Sequence, residues 1–235
     1  MHPDLQRWLD TAAIDPSVRE LRPDYRALLI VAEGLEPGPS DETSEKLLAV
    51  AEAEARVRFA DTPPEEHPHL AAWRAAFRAF GAKPQRTRPS AEALLYRLDD
   101  GLPRVDRLTD AYNAVSVAHA LPLGGEDLDR YAGPARLVRA DGTEPFEVTK
   151  GGEAAVEHPR AGEVVWRDDA GVTCRRWNWR QCVRTRLTHE TTRALFVLDA
   201  LEPLTDEALQ AAGAALCEAL RATSPQARTA SRLMG

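Results

Sequence analysis

Two unbroken apolar runs constrain most strongly how this chain can fold. Ala27 to Val31 is entirely apolar, and Ala194 to Leu201 is nearly so. Apolar runs without alternating polar residues are typical of strands that are buried on both faces. Strands and helices do not alternate strictly along the rest of the chain. The pattern therefore predicts an α+β fold rather than a doubly wound parallel sheet.

Helical spacing, capping residues and short β-type runs predict the remaining elements. Leu70, Trp73, Phe77 and Phe80 form one helical stripe that Gly81 can end. Further helices are predicted within residues 1–22, from Ser40 or Asp41, from Ser90, from near Thr109 and from Thr205, with short strands at 136–140, 146–149, 163–167 and 172–174. An ordinary connecting loop is one of two open interpretations of the segment 121–129, and the chain from Ser224 is interpreted as a frayed tail.

The acidic charge is concentrated at the start of the chain. The net charge is −7, but residues 1–66 hold 15 acidic and 7 basic side chains, whereas residues 67–235 are nearly neutral. A general nucleic-acid binder needs a broad basic surface, so binding to DNA is not expected. We expect one domain over 1–235, with an acidic part (1–66), a core (67–201), a C-terminal helix (202–222) and a tail (223–235).

Familiar site motifs are missing from the sequence. There is no G-x-G-x-x-G, P-loop, H-E-x-x-H or G-x-S-x-G motif, and the six histidines are scattered, so neither a cofactor nor a metal site is expected. No apolar run approaches the ~20 residues that span a membrane. Three cysteines without a C-x-x-C motif favour the reducing cytoplasm.

Arginine and tryptophan are concentrated in the segment 174–186. It holds two of the five tryptophans and five arginines, together with Asn178 and Gln181. Aromatic faces can stack on a base, and guanidinium groups can bind phosphates. The alternative is an amphipathic edge strand with tryptophans packed inward and arginines in water.

Two other segments carry polar groups of interest. Asn113 interrupts an apolar helical stretch, so its amide either ties down a neighbouring loop or faces a pocket. Gly124-Gly125 either lets backbone N–H groups approach an anion closely or belongs to an ordinary connection.

Six segments in register resemble the B3/B4 domain of the phenylalanyl-tRNA synthetase β subunit and its free-standing relatives. They are Phe77–Pro84, Ser90–Leu95, Leu102–Val105, Asp110–Ser116, Leu121–Asp129 and Cys174–Gln181. The resemblance implies a three-layer architecture with helices around a β-sandwich of mixed topology. It also implies editing, that is, hydrolysis of the ester between a wrong amino acid and its tRNA. Two departures stand out: Gly124 replaces a pocket histidine of the synthetase, and Trp177 and Trp179 replace small residues, which suggests a different amino acid from the synthetase's tyrosine.

The resemblance and the residue types together assign the site. Asn113 and Asn178 would be catalytic, orienting water and the α-amino group. Substrate would be bound by Tyr112, Gly124, Gly125, Glu126, Arg176, Trp177, Trp179 and Gln181, with Glu126 pairing with the ammonium group. The tRNA would be bound by Arg175, Arg180, Arg184 and Arg186. An aminoacyl ester is already activated, so positioned water and oriented dipoles can suffice without a nucleophile. The alternatives are a non-catalytic module that binds tRNA or an amino acid, and a small-molecule hydrolase or transferase for aminoacyl groups.

Overall fold

The computed structural model describes residues 3–235. Its helices are α1 (Pro3–Thr11), α2 (Pro16–Leu21), α3 (Glu42–Arg58), α4 (Pro68–Ala79), α5 (Ser90–Leu95), α6 (Arg107–His119) and α7 (Asp206–Thr223). Its strands are β1 (Ala13–Ile14), β2 (Arg26–Glu33), β3 (Leu123–Asp127), β4 (Arg136–Arg139), β5 (Phe146–Lys150), β6 (Glu153–Glu157), β7 (Val164–Arg167), β8 (Val172–Arg175), β9 (Arg180–Gln181), β10 (Arg193–Ala200) and β11 (Arg228–Met234). The predicted α+β class is confirmed.

The two apolar runs form the centre of a four-stranded antiparallel sheet with the order β11-β2-β10-β3. β2 and β10 pair over eight positions, from Arg26 with Ala200 to Glu33 with Arg193. Each central strand is covered on both faces, which is why neither shows polar alternation.

The second sheet has five strands in the order β1-β4-β7-β8-β9. β1 runs parallel to β4, whereas the other neighbours are antiparallel. β7 and β8, which match the strands predicted at 163–167 and 172–174, pair antiparallel, and a separate β5–β6 hairpin covers the outer face of this sheet.

The two sheets enclose the main core. Leu29, Leu195 and Val197 from the first sheet lie in one apolar cluster with Leu137 and Trp166 from the second. α6 and α7 cover the opposite face of the first sheet, and α3 packs against α6. The order of layers is therefore helices, sheet, sheet, as the predicted sandwich with packed helices requires.

Helix ends mostly follow the capping pattern. Asp41 accepts hydrogen bonds from the N–H groups of Thr43 and Ser44 at the start of α3, as predicted. Ser90 is not the cap of α5, as the sequence had suggested: Pro89 occupies that position and the Ser90 hydroxyl makes no hydrogen bond. α5 ends at Leu95 after six residues.

Two predicted irregular segments are strands. The loop alternative for 121–129 is wrong, because β3 pairs with β10 from Leu123 to Asp127. The end of the chain is not frayed: β11 pairs with β2 over seven positions, from Arg228 with Glu33 to Met234 with Ala27. Among residues 3–235, no helix is long and apolar enough to cross a membrane.

Candidate functional site

A pocket of about 260 Å³ opens between the two sheets, next to α5 and α6. Most of the predicted site residues line it: Tyr112, Asn113, Gly124, Glu126, Trp177, Asn178, Trp179, Arg180 and Gln181. The other lining residues were not predicted: Ser90, Ala93, Leu94, Arg97, Leu123, Trp166, Cys174, Val197 and Asp199. The fold therefore brings α6, β3 and the segment around Trp177 together at one place.

Asp199 provides a buried carboxyl group in the pocket wall. Its Oδ1 accepts a hydrogen bond from the Tyr25 hydroxyl at 2.6 Å, and its Oδ2 accepts one from Asn178 Nδ2 at 3.3 Å. Burial raises the pKa of Asp199 to about 7, and these two donors only partly offset the effect. Asp199 is thus poised to exchange a proton near neutral pH.

Glu126 is a second buried acid in the same pocket. The hydroxyl of Tyr131 donates to its Oε2. Burial raises the pKa of Glu126 to about 7, and the hydroxyl groups of Tyr131 and Thr173 oppose that rise. Raised pKa values of carboxyl groups that lie in a cleft are typical of functional sites, and this pocket holds two such groups.

Asn178 lies in a tight turn that the sequence did not predict. Arg176 and Trp177, which precede it, have φ angles of 49° and 67°, a conformation that residues with a Cβ rarely adopt. Trp177 is fully buried against the rings of Tyr25, Trp73 and Phe80, which holds the turn in place. Asn178 Oδ1 is buried without a hydrogen-bond donor, so a ligand can supply one.

Asn113 faces the pocket rather than tying down a loop. It is buried, and its side chain makes no hydrogen bond to any described residue, whereas its neighbour Tyr112 packs edge-on against Phe196. The amide of Asn113 is therefore available to a bound molecule.

Gly124 and Gly125 leave room for neighbouring side chains, among them that of Gln181, and not for an anion. A Cβ at Gly124 would lie 3.0 Å from Gln181 Nε2, and that nitrogen donates to the carbonyl oxygen of Gly125 at 2.8 Å. Gly125 itself packs against Phe196 and Leu187 and does not line the pocket, contrary to the predicted binding role.

The predicted arginine patch divides into paired and unpaired members. Arg175 is buried and paired with both oxygens of Glu163, and Arg184 makes a two-pronged contact with Asp168, so neither is free to bind phosphate as predicted. Arg180 and Arg186 are exposed, and neither has an ion-pair partner among residues 3–235. Arg176 lies outside the pocket and stacks on the Trp179 ring at 4.2 Å.

Sequence reasoning missed Asp199, Tyr25 and Arg97. Asp199 had a detectable signal, because it is an acid inside an otherwise apolar buried strand. Arg97 is exposed at the pocket and, among the described residues, has no ion-pair partner; nothing in its local sequence marks it.

Neither of the two buried thiols near the pocket has the lowered pKa that activates a nucleophile. Burial raises the pKa of Cys174 well above its usual value and also raises that of Cys182. Within residues 3–235, no three His, Cys, Asp or Glu side chains converge as metal ligands would.

The chain is similar to known proteins in one family model and in a solved structure. A family model described as the B3/4 domain matches residues 72–226, further towards the C-terminus than the predicted core. No curated protein matches the chain. An N-terminal fragment of the phenylalanyl-tRNA synthetase beta-subunit from Pyrococcus horikoshii aligns with a TM-score of 0.49 at 12% identity, over 96% of this chain and 54% of the fragment. The chain thus spans about half the length of that fragment.

Proposed function

The chain belongs to the B3/4 domain family, and from that premise we propose that it hydrolyses the ester bond of mischarged aminoacyl-tRNA in trans. The observation that carries the proposal is the composition of the inter-sheet pocket. Two buried acids with pKa values near 7, Glu126 and Asp199, line this pocket. Two asparagine amides with unpaired hydrogen-bonding atoms, those of Asn113 and Asn178, line it as well.

The pocket has the dimensions of an amino acid. Its volume of about 260 Å³ lies below the ~300–1,000 Å³ of typical sites for drug-sized ligands. Trp166, Trp177 and Trp179 contribute indole rings to its walls, of which only that of Trp179 is more than slightly exposed. An aminoacyl group would therefore enter the pocket, while the nucleotide that carries it stays at the mouth.

Asp199 is suited to act as the general base. A base is most effective when its pKa lies near the working pH, and burial places that of Asp199 at about 7. In the proposed reaction, a water molecule gives a proton to Asp199 and its oxygen bonds to the ester carbonyl carbon. The bond from that carbon to the ribose oxygen then breaks, and Asp199 returns the proton to the ribose oxygen. Asn113 and Asn178 would orient the water and the carbonyl group.

Glu126 would bind the α-ammonium group of the substrate. A buried carboxyl group with a pKa near 7 becomes fully ionised when a cation enters its site, because the opposite charge favours the charged form. Substrate binding at pH 7 is thus expected to release a fraction of a proton.

Arg97 and Arg180 supply positive charge next to the pocket. Both are exposed and line the pocket, and neither has an ion-pair partner among the described residues. They would contact the phosphates of the single-stranded tRNA end.

A deacylation screen tests the proposal directly. tRNAs charged with each amino acid, cognate and non-cognate, are incubated with the protein, and loss of the ester is measured. We expect turnover for a restricted set of mischarged tRNAs and a loss of at least about 100-fold in Asp199→Asn and Asn113→Ala, in line with the usual contribution of general-base catalysis. Arg221→Ala, at the far end of α7, is the control.

The outcomes separate the alternatives. Binding of aminoacyl-tRNA without any turnover would leave the non-catalytic module, and turnover of free aminoacyl esters at the same rate as of aminoacyl-tRNA would leave the small-molecule hydrolase. Full activity of Asp199→Asn would exclude the general-base role.

A further inference from the structure

A second cavity, of about 250 Å³, lies on the other side of the turn that contains Trp177. Its walls come from the segment 80–87 after α4, from the segment around Arg160 before β7, and from Arg176. We name the four cations that line it, Lys83, Arg86, Arg160 and Arg176, the basic pocket. None of these residues belongs to the pocket between the sheets.

The basic pocket has almost no compensating negative charge. Glu163 is its one acidic lining residue, and Arg175 already engages both of its oxygens at 2.8 and 2.9 Å. Arg176 approaches the same carboxylate only at 3.7 Å. Lys83, Arg86 and Arg160 have no ion-pair partner within residues 3–235. Burial is the main cause that lowers the pKa of Arg176; Arg175 and Arg160 lower it further, and Glu163 opposes them.

Such a cluster is unusual for this chain. The net charge of the whole chain is −7. Three other partly buried arginines are each paired with an acid: Arg74 with Glu92, Arg104 with Glu52, and Arg184 with Asp168. Lys83, Arg86 and Arg160 are exposed and Arg176 is half-buried, so all four cations are open to an anion from solvent, and they converge on one cavity whose single carboxylate is already engaged. Arginine and lysine together are the usual ligands of phosphate.

We propose that the basic pocket is a binding site for phosphate groups. A phosphate there would be held by the guanidinium groups of Arg86, Arg160 and Arg176 and by the ammonium group of Lys83. The source of the phosphate is either the backbone of a bound RNA or a small phosphorylated molecule, and the chemistry of recognition is the same for both.

The basic pocket is coupled to the site between the sheets through one turn. Arg176 lines the basic pocket and stacks on Trp179, whereas Trp177, Asn178 and Trp179 line the other pocket. An anion that holds Arg176 would therefore stabilise the left-handed turn that presents Asn178. Phosphate binding nevertheless stands independently of the proposed hydrolysis.

Binding measurements on the intact chain test the proposal. Pyrophosphate, inorganic phosphate and uncharged tRNA are titrated at constant ionic strength, with chloride as the reference anion. We expect Arg86→Ala/Arg160→Ala to weaken the binding of at least one of these phosphate probes by tenfold or more, with an unchanged thermal transition in chloride. Arg130→Ala/Arg221→Ala removes the same charge elsewhere and is expected to bind as the wild type does.

The probes identify the source of the phosphate. Loss of tRNA affinity alone indicates an RNA backbone, and loss of pyrophosphate or phosphate affinity alone indicates a small phosphorylated molecule. The proposal is overturned if neither class of probe loses affinity in the first double variant, or if both double variants lose it equally. Deacylation measured on the same variants keeps the two proposals apart, since phosphate binding can persist in a protein that does not hydrolyse esters.

Discussion

At the scale of single residues, the buried carboxyl group of Asp199 makes the stability of the fold depend on pH. Its folded pKa of about 7 lies above the ordinary value of 3.8 for an aspartate, so between these pH values the folded state holds the proton that the unfolded state has lost. Stability contributed by this group is therefore complete below about pH 4 and falls as pH rises towards 7, by at most about 1.4 kcal/mol per pH unit. Glu126 acts in the same direction.

We predict that Asp199→Asn is more stable than the wild type at pH 8 and loses less stability between pH 5 and 8. The neutral amide avoids the cost of a buried charge, and Asn178 can rotate its amide so that the unpaired Oδ1 accepts from the new side chain. Urea denaturation at several pH values measures the effect. An unchanged pH slope would contradict the assigned pKa.

Asp168→Asn is the matched control, for which we expect a change in stability of the opposite sign. Asp168 is equally buried, and although burial alone would raise its pKa, the hydrogen bonds from Arg184 and the Ala132 N–H lower it below its usual value. Its ionised form stabilises the fold above the unfolded pKa, so its removal is expected to destabilise the protein at neutral pH.

At the scale of elements, β3 shows why two adjacent glycines are not equivalent. A Cβ at Gly125 would lie 2.8 Å from a ring carbon of Phe196 in the core, whereas one at Gly124 would meet only the flexible end of Gln181. We predict that Gly125→Ala costs about 1–3 kcal/mol of stability through overpacking. Gly124→Ala is expected to keep its stability but to displace Gln181 and lower activity. Chemical denaturation and the deacylation assay on both variants check this contrast, and equal losses of stability would refute it.

β11 provides the second test at this scale. Ala230 faces the core between the sheets, and its neighbour Ser231 is exposed. We predict that Ala230→Asp costs more than about 3 kcal/mol, because it buries an unpaired charge, while Ser231→Asp stays within about 0.5 kcal/mol. Thermal and urea denaturation distinguish the two. A tail that frays in solution would leave both variants unchanged.

At the scale of the whole molecule, the charge distribution limits how tRNA can bind. A chain with a net charge of −7 lacks a diffuse positive field, so affinity depends on local cations such as Arg97 and Arg180. Each contact to a single-stranded phosphate contributes about −0.7 to the slope of log affinity against log salt. We predict a shallow slope of about −1.5 to −3, which Arg97→Ala/Arg180→Ala flattens by about 1.4. A steep slope, or one that this double variant leaves unchanged, would contradict the assignment.

The sequence by itself determined the central strands, the main helices and the family. Ala27–Val31 and Ala194–Leu201 are buried on both faces, and Asp41 caps its helix, because apolar periodicity and capping are local properties of the chain. The sequence also singled out most residues of the pocket, since amides, tryptophans and glycines were concentrated in a few segments.

Only the tertiary structure decided which charges are free and which edges are paired. Arg175 and Arg184 look like phosphate ligands until Glu163 and Asp168, which come earlier in the chain, are folded against them. β3 and β11 carry weak strand patterns, and each becomes a strand because β10 or β2 offers it an unpaired edge. Pairing energies between distant segments are absent from local sequence, so the same side chain can be a ligand or a structural ion depending on what the fold places beside it.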